Sequence, residues 1–221
     1  MYMIWDALQL SLLVSILATV WVGIVGTASG LLLARKRFPG RAFLDLLVTL
    51  PLILPPTVTG YYLILLLGRK GLLGAFIYDW TGFSFVFAWQ GAALAGGVVA
   101  LPIMVRAARA AFLDVPVAFE HASYVLGRNR ITTFMKVTLP LARNGLVSGL
   151  ILSFARAIGE FGATLMIAGN IPGRTQTMPL AIYEAFATGE DALAQSLAVI
   201  LTVISGIVIL TTEWLLRSKG R

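Results

Sequence analysis

The chain has 221 residues, a length that would suit one or two soluble domains, but its composition excludes a soluble fold. Apolar residues make up 58% of the sequence and charged residues only 12%, whereas a soluble domain carries roughly a quarter charged residues. There is no cysteine and a single histidine, His121, which excludes disulfide frameworks, thiolate metal sites and histidine clusters. The net charge of +7 fits nucleic acid, anionic lipid or membrane topology, and the positions of the basic residues decide among them.

Five apolar stretches are long enough to cross a bilayer, because a hydrocarbon core about 30 Å thick takes about 20 residues of helix. The predicted spans are 7–34, 44–68, 83–111, 144–169 and 192–216. Two further apolar segments, 71–78 and 178–187, are too short to cross and are predicted to lie at the outer surface, so a sixth membrane element stays open. The predicted fold is an all-α polytopic membrane protein, with residues 1–221 as a single transmembrane domain.

The basic residues predict how this domain is oriented. Thirteen of the 17 lie after the first span, at the end of the third span or between it and the fourth, or at the carboxyl end. Arg69, Lys70 and Arg174 lie on the opposite side, and Arg156 lies inside a span. Because basic loops stay cytoplasmic, the amino terminus is predicted outside and the carboxyl terminus inside. The positive charge is therefore a topology signal, and nucleic-acid binding is set aside.

The inner loop between the third and fourth spans, 114–140, is unusually long and has an apolar helical stripe. A helix is predicted to begin at Pro116 and to end or turn at Gly127. A second short helix, 130–137, is predicted to end at Leu139 and Pro140. Two short helices with an apolar stripe in the cytosol indicate a protein partner.

Residues within this loop carry a recognisable motif. Its members are Glu120, His121 and Ala122, then Gly127, then Val137, Leu139 and Pro140. Their spacing resembles the EAA motif of the permease subunits of ABC importers, with His121 in place of an alanine and Val137 in place of an isoleucine. The resemblance implies that the loop forms a coupling helix that docks on the ATPase.

Two other segments resemble the oxyanion branch of the same family. The run 50–61 in the second span resembles molybdate permeases, and the run 155–162 (ARAIGEFG) is of a kind shared by molybdate and sulfate permeases. The resemblance covers residues 8–216 and favours molybdate, with tungstate as a similar ion. It implies transport by alternating access across the bacterial cytoplasmic membrane. The transporting unit would be a homodimer surrounded by lipid, with two ABC ATPase subunits and an external solute-binding protein as partners. Another oxyanion such as sulfate is the alternative.

Candidate pathway residues lie in the second and fourth spans. The first group is Pro55, Pro56, Thr57, Thr59 and Gly60, and the second is Arg156, Glu160 and Gly162. The prolines remove backbone donors and distort the helix, as in a gate or a packing kink. The threonine hydroxyls could meet an oxyanion or bond to their own helix, and both interpretations stay open.

Arg156 and Glu160 are one helical turn apart, so their side chains can meet inside the membrane. A paired, structural role is favoured over direct contact between Arg156 and a passing anion, because Glu160 would neutralise the guanidinium. Gly162 allows close packing beside this pair.

Other function classes fit less well. A secondary transporter or channel predicts internal repeats and more mid-span carboxylates, and a membrane enzyme needs more reactive side chains than this chain has. The sequence has no Gly-x-x-x-x-Gly-Lys-Ser/Thr run. ATP and magnesium are therefore expected in the partner ATPase, and no catalytic residue, cofactor or metal is expected in this chain.

Overall fold

A computed structural model describes residues 2–36 and 38–218, and these residues form eleven α-helices and one π-helical turn but no strand. The elements are α1 Tyr2–Arg35, α2 Arg41–Ile53, α3 Pro56–Leu67, α4 Gly74–Thr81, α5 Trp89–Leu113, α6 Val117–Val125, α7 Arg130–Thr133, the π turn Phe134–Thr138, α8 Leu139–Ile158, α9 Gly162–Ala168, α10 Met178–Ala187 and α11 Asp191–Ser218. Arg37, Lys219 and Arg221, which were counted in the orientation argument, lie outside the described residues.

Four helical stretches of the described chain are long and apolar enough to cross a membrane. They are Ile4–Arg35, Trp89–Leu113, Arg130–Ile158 and Asp191–Leu210. They correspond to four of the five predicted spans. The described part is therefore all-α, as the composition predicted.

The second predicted span, 44–68, is divided into two helices, α2 and α3. The division follows from the consecutive prolines, since the residue before a proline is driven out of the helical region. Leu54 accordingly has ψ 143° and Pro55 has ψ 137°, both in extended conformations. Pro56 then occupies the first position of α3, where its missing N–H costs nothing.

The fourth predicted span, 144–169, is also divided, and it begins earlier than expected. The helical stretch that starts at Arg130 ends at Ile158, and α9 begins at Gly162. Residues 159–161 interrupt the helix. The membrane domain therefore contains two broken spans, one at residues 54–55 and one at residues 159–161.

The two short apolar segments are both helical, as α4 and α10. Helix α10 belongs to a buried cluster that joins three elements through Ala7, Met178, Ala181 and Leu197. The backbone N–H of Met178 also donates to Ser11 Oγ at 2.7 Å. Helix α10 is thus fastened to α1 and α11.

Helix α5 lies at the centre of the domain, between α1 and α8. Small residues allow this approach, because a Cβ added at Gly30 would lie 2.6 Å from the Ala108 Cβ. Large side chains such as Met104 and Phe112 fill the remaining core. The outward faces of α1 and α11 remain apolar and exposed, for example at Ile24, which is the surface expected for contact with lipid.

Candidate functional site

The two interrupted spans meet each other. Helix α3 packs along α9, where Gly60 lies so close that an added Cβ would be 2.9 Å from the Ala163 Cα. An added Cβ at Gly162 would be 3.1 Å from the Pro56 Cβ, so the first residues of α3 and α9 are neighbours. The structure thereby brings together two groups of candidate residues that are about 100 positions apart in the chain.

The hydroxyls at this junction differ in exposure. Thr57 is exposed at the start of α3, whereas Thr59 is buried. The Thr59 hydroxyl has no hydrogen-bond partner among the described residues. A buried hydroxyl without a partner costs about 1–3 kcal/mol. Of the two interpretations left open, a hydrogen bond from the hydroxyl to its own helix is therefore not seen at Thr59.

Arg156 and Glu160 form an ion pair beside the same junction. Arg156 Nη1 lies 2.8 Å from Glu160 Oε2, and the side chains are 31% and 2% exposed. The other carboxylate oxygen, Glu160 Oε1, accepts the backbone N–H of Ala163 at 2.8 Å. Glu160 thus fastens the end of α8 to the start of α9, while Arg156 stays accessible on one side. Contacts run from Arg156 through Glu160 and Ala163 to Gly60.

The loop 114–140 forms a compact helical hairpin at the other end of the domain. Helix α6 begins after Pro116, and the turn that follows it contains Gly127 with φ +76°, a conformation that L side chains rarely adopt. The Asn129 side chain caps α7 by accepting the Thr132 N–H at 2.8 Å. The expected start and turn of this hairpin correspond to those of the structure.

Glu120 lies inside this hairpin and ties it to α1. Its Oε1 accepts from Arg35 Nη2 at 3.0 Å and from Thr138 Oγ1 at 2.7 Å. Ser123 and Thr133 add a buried hydroxyl pair at 2.9 Å between α6 and α7. Sequence reasoning missed the pair of Glu120 and Arg35, because the two residues are 85 positions apart and nothing local marks it.

The prediction that Leu139 and Pro140 end the second helix is wrong. The helical stretch continues from Arg130 to Ile158, with the π turn Phe134–Thr138 between α7 and α8. Proline lacks an N–H and clashes with the carbonyl four residues earlier in an α-helix. The wider π turn just before Pro140 relieves this conflict, so Val137 and Leu139 lie within a continuous helix.

The solvent-exposed surface of the hairpin is apolar and basic. His121 and Ala122 are exposed, and Val125 is 87% exposed at the end of α6. Leu126 and Ile131 extend this apolar surface across the turn. Arg128, Arg130 and Lys136 are exposed around it. Such an exposed apolar surface on two short helices needs a covering partner.

Comparison with known proteins identifies the family. The model of the family "Binding-protein-dependent transport system inner membrane component" matches residues 26–218. The chain belongs to this family. Its members are the permease components of ABC importers, and the chain is a multi-pass protein of the inner membrane.

Relatives of the permease cover nearly its whole length. It is 45% identical over 214 residues to the molybdenum transport system permease protein ModB of Escherichia coli (strain K12), covering 96% of this chain and 93% of that protein. It is 43% identical to the putative molybdenum transport system permease protein YvgM of Bacillus subtilis (strain 168), covering 89% and 86%. The sulfate transport system permease protein CysW of Synechococcus elongatus is 34% identical, covering 98% and 75%.

Solved structures show the same fold. A permease chain of the MetNI methionine ABC transporter superposes with a TM-score of 0.78 at 19% identity, covering 100% of this chain and 98% of that one. A bacterial ABC transporter for alginate gives a TM-score of 0.72 at 15% identity, covering 98% and 79%. The fold is therefore that of ABC importer permeases.

Proposed function

We propose that this chain is the permease subunit of an ATP-driven importer for molybdate, with tungstate as a second substrate. The observation that carries the proposal is its 45% identity over 96% of the chain to a molybdenum permease, against 34% for a sulfate permease. Selection between tetrahedral oxyanions of similar charge depends on small differences in contacts, so overall relatedness is the stronger guide to the substrate.

The passage for the anion runs between two copies of the chain, past the junction of α3 and α9. Three features support this location. Two spans are interrupted there, which is favourable in a membrane only where the backbone lines a cavity or is buried in protein. Thr57 is exposed and Thr59 has a hydroxyl free to donate. The Arg156 charge at the junction is paired with Glu160, so no unbalanced cation there would trap a passing dianion.

The hairpin around α6 is the coupling element, and it docks on the ATPase subunits. Its exposed apolar surface supplies the contact, and the Glu120 contacts with Arg35 and Thr138 make it move with α1 and the following helix. A rigid connection of this kind is what converts ATPase closure into helix motion. The amino terminus then lies outside and the carboxyl terminus inside, as the basic residues predict. The permease has no ATP site of its own, and hydrolysis takes place in the partner.

Uptake by the reconstituted complex tests the substrate. The permease, its ATPase and its binding protein are placed in liposomes, and uptake of labelled molybdate is measured with ATP inside. We expect ATP-dependent uptake that excess tungstate suppresses and excess sulfate does not. Suppression by sulfate at equal concentration would assign the chain to sulfate, and uptake without ATP would assign it to the secondary transporters.

A further inference from the structure

Three basic residues lie on the side of the permease that the proposed orientation places outside, and they are close to one cavity. Arg69 and Lys70 follow α3, and Arg174 follows α9. All three line one cavity of about 690 Å³, and both arginines also line an adjoining cavity of about 350 Å³. None of the three forms an ion pair within the described part of the chain. The outer positive charge is thus concentrated in one concave site without a carboxylate to balance it.

The position of these cavities follows from the fold. Helices α3 and α9 both begin at the junction that contains Thr57 and Gly162, and both run from there toward the outer side. Arg69 and Arg174 follow the far ends of these two helices. The cavities therefore lie at the outer mouth of the passage that the proposed function requires.

Two contacts hold this site in shape. The Arg69 guanidinium lies over the Tyr78 ring, 5.1 Å from its centre, which orients the cation. Phe87 lines the larger cavity and has φ +58°, the sole positive value of a non-glycine residue in the described chain. Its N–H donates to Ile167 O at 3.0 Å, so the strained residue is fastened to α9. Backbone strain of this kind persists where the surroundings enforce it, often at ligand sites.

We propose that Arg69 and Arg174 form a staging site for the oxyanion at the outer mouth of the passage. This inference rests on the proposed function. The site receives a tetrahedral dianion as the binding protein releases it and holds it until the passage opens. Two guanidinium groups with several N–H donors each match the oxygens of such an anion. A cavity lined by two arginines favours a small anion over the acidic face of a protein, which would contact a broader surface.

Charge removal at the site is the test, made in the full complex with its ATPase and binding protein. The variants are Arg69→Gln and Arg174→Gln, the conservative Arg69→Lys and Arg174→Lys, and Lys36→Gln as a matched loss of one charge on the opposite side. Four quantities are measured: assembled complex, uptake of labelled molybdate at subsaturating binding protein, affinity of the binding protein for the complex, and equilibrium binding of molybdate to the complex without binding protein.

Each glutamine variant should lower molybdate binding and uptake about tenfold, because a cation and a dianion about 6 Å apart interact appreciably even in water. The loss should shrink at high salt. The lysine variants should retain most of the uptake, and Lys36→Gln and the affinity for the binding protein should be unchanged.

Three outcomes would overturn the staging site. They are unchanged uptake in both glutamine variants, an equal loss in the lysine variants, and a fall in binding-protein affinity that matches the loss of uptake. The last outcome would assign the arginines to protein docking. If the unaltered complex imports sulfate and not molybdate, the proposed substrate fails, and a tenfold loss of sulfate uptake in the same variants would still support the site.

Discussion

The ion pair of Arg156 and Glu160 offers a quantitative test of how the interrupted fourth span is held. Glu160 is almost fully buried at 2% exposure, whereas Arg156 is 31% exposed, so the two partners are not equivalent. Arg156→Gln leaves a buried carboxylate with the Ala163 N–H as its remaining partner. Glu160→Gln leaves a guanidinium that can still reach water, and the amide oxygen can still accept from Ala163.

The structure therefore predicts unequal losses. Breaking a buried pair costs about 3–5 kcal/mol, and the partial exposure of Arg156 lowers this to about 2–3 kcal/mol for Arg156→Gln. Glu160→Gln should cost about 1 kcal/mol, because the stranded charge is solvated. The double variant should recover part of the loss, with a coupling energy of about 1–2 kcal/mol.

The measurement is the stability of the purified permease complex in detergent, together with the amount assembled in the membrane and the molybdate uptake. The chain also contains a matched control. Arg109 Nη1 and Asp45 Oδ2 are 3.3 Å apart with side chains 35% and 45% exposed, and such an exposed pair should contribute less than about 1 kcal/mol. A double variant no more stable than the worse single one would refute the pairing. Lost uptake with full stability in Arg156→Gln would instead place Arg156 in direct contact with the anion.

Three further predictions concern the hairpin, the junction and the orientation. Gly127→Pro forces φ to about −65° where the chain has +76°. This variant should weaken ATPase association, measured by co-purification, while membrane insertion stays normal. An unchanged association would show that the hairpin does not couple the permease to the ATPase. Gly60→Ala would place a Cβ 2.9 Å from the α9 backbone and should destabilise the complex by about 1–3 kcal/mol in thermal unfolding. Gly206 has open space around it, so Gly206→Ala should not destabilise the complex in the same assay. Equal effects of the two variants would contradict the close packing of Gly60. Single cysteines replacing Arg174 and Arg130 should react with an impermeant reagent in intact cells at 174 and not at 130, and the reverse pattern would invert the topology.

Much of the architecture was predictable from local properties. Apolar length predicted four segments that the structure shows as helices long enough to cross a membrane, because each helix in lipid must satisfy its own backbone and cover itself with apolar side chains. The consecutive prolines Pro55 and Pro56 predicted a distortion of the second span, because a proline has no backbone N–H to donate within a helix. Pro116 and Gly127 were enough to predict where the hairpin begins and turns. The position of the break at residues 159–161 was not predictable, because a Gly-Glu-Phe-Gly sequence can also continue a helix.

The candidate site was predictable as a set of residues but not as an arrangement. Thr59 and Gly162 could be singled out, and yet their proximity depends on the packing of α3 against α9. Arg35 was counted as a topology charge, while the structure makes it the partner of Glu120. Arg69 and Arg174 were also counted only as topology charges. They are more than 100 positions apart in the sequence, and the fold brings both to one cavity.

The amino-acid sequence alone determined that this chain spans a membrane, which loops are basic, and where the hairpin between the third and fourth spans lies. Each of these depends on hydropathy, charge or spacing within one segment, and such properties exist before the chain folds. Tertiary structure decided which broken helix faces which, that the Thr59 hydroxyl is left without a partner, and that Arg69 and Arg174 line one cavity. These three features depend on contacts between distant segments. Such contacts are selected by the close packing of small residues, for example Gly60 against Ala163. The linear sequence has no periodic signal for this packing.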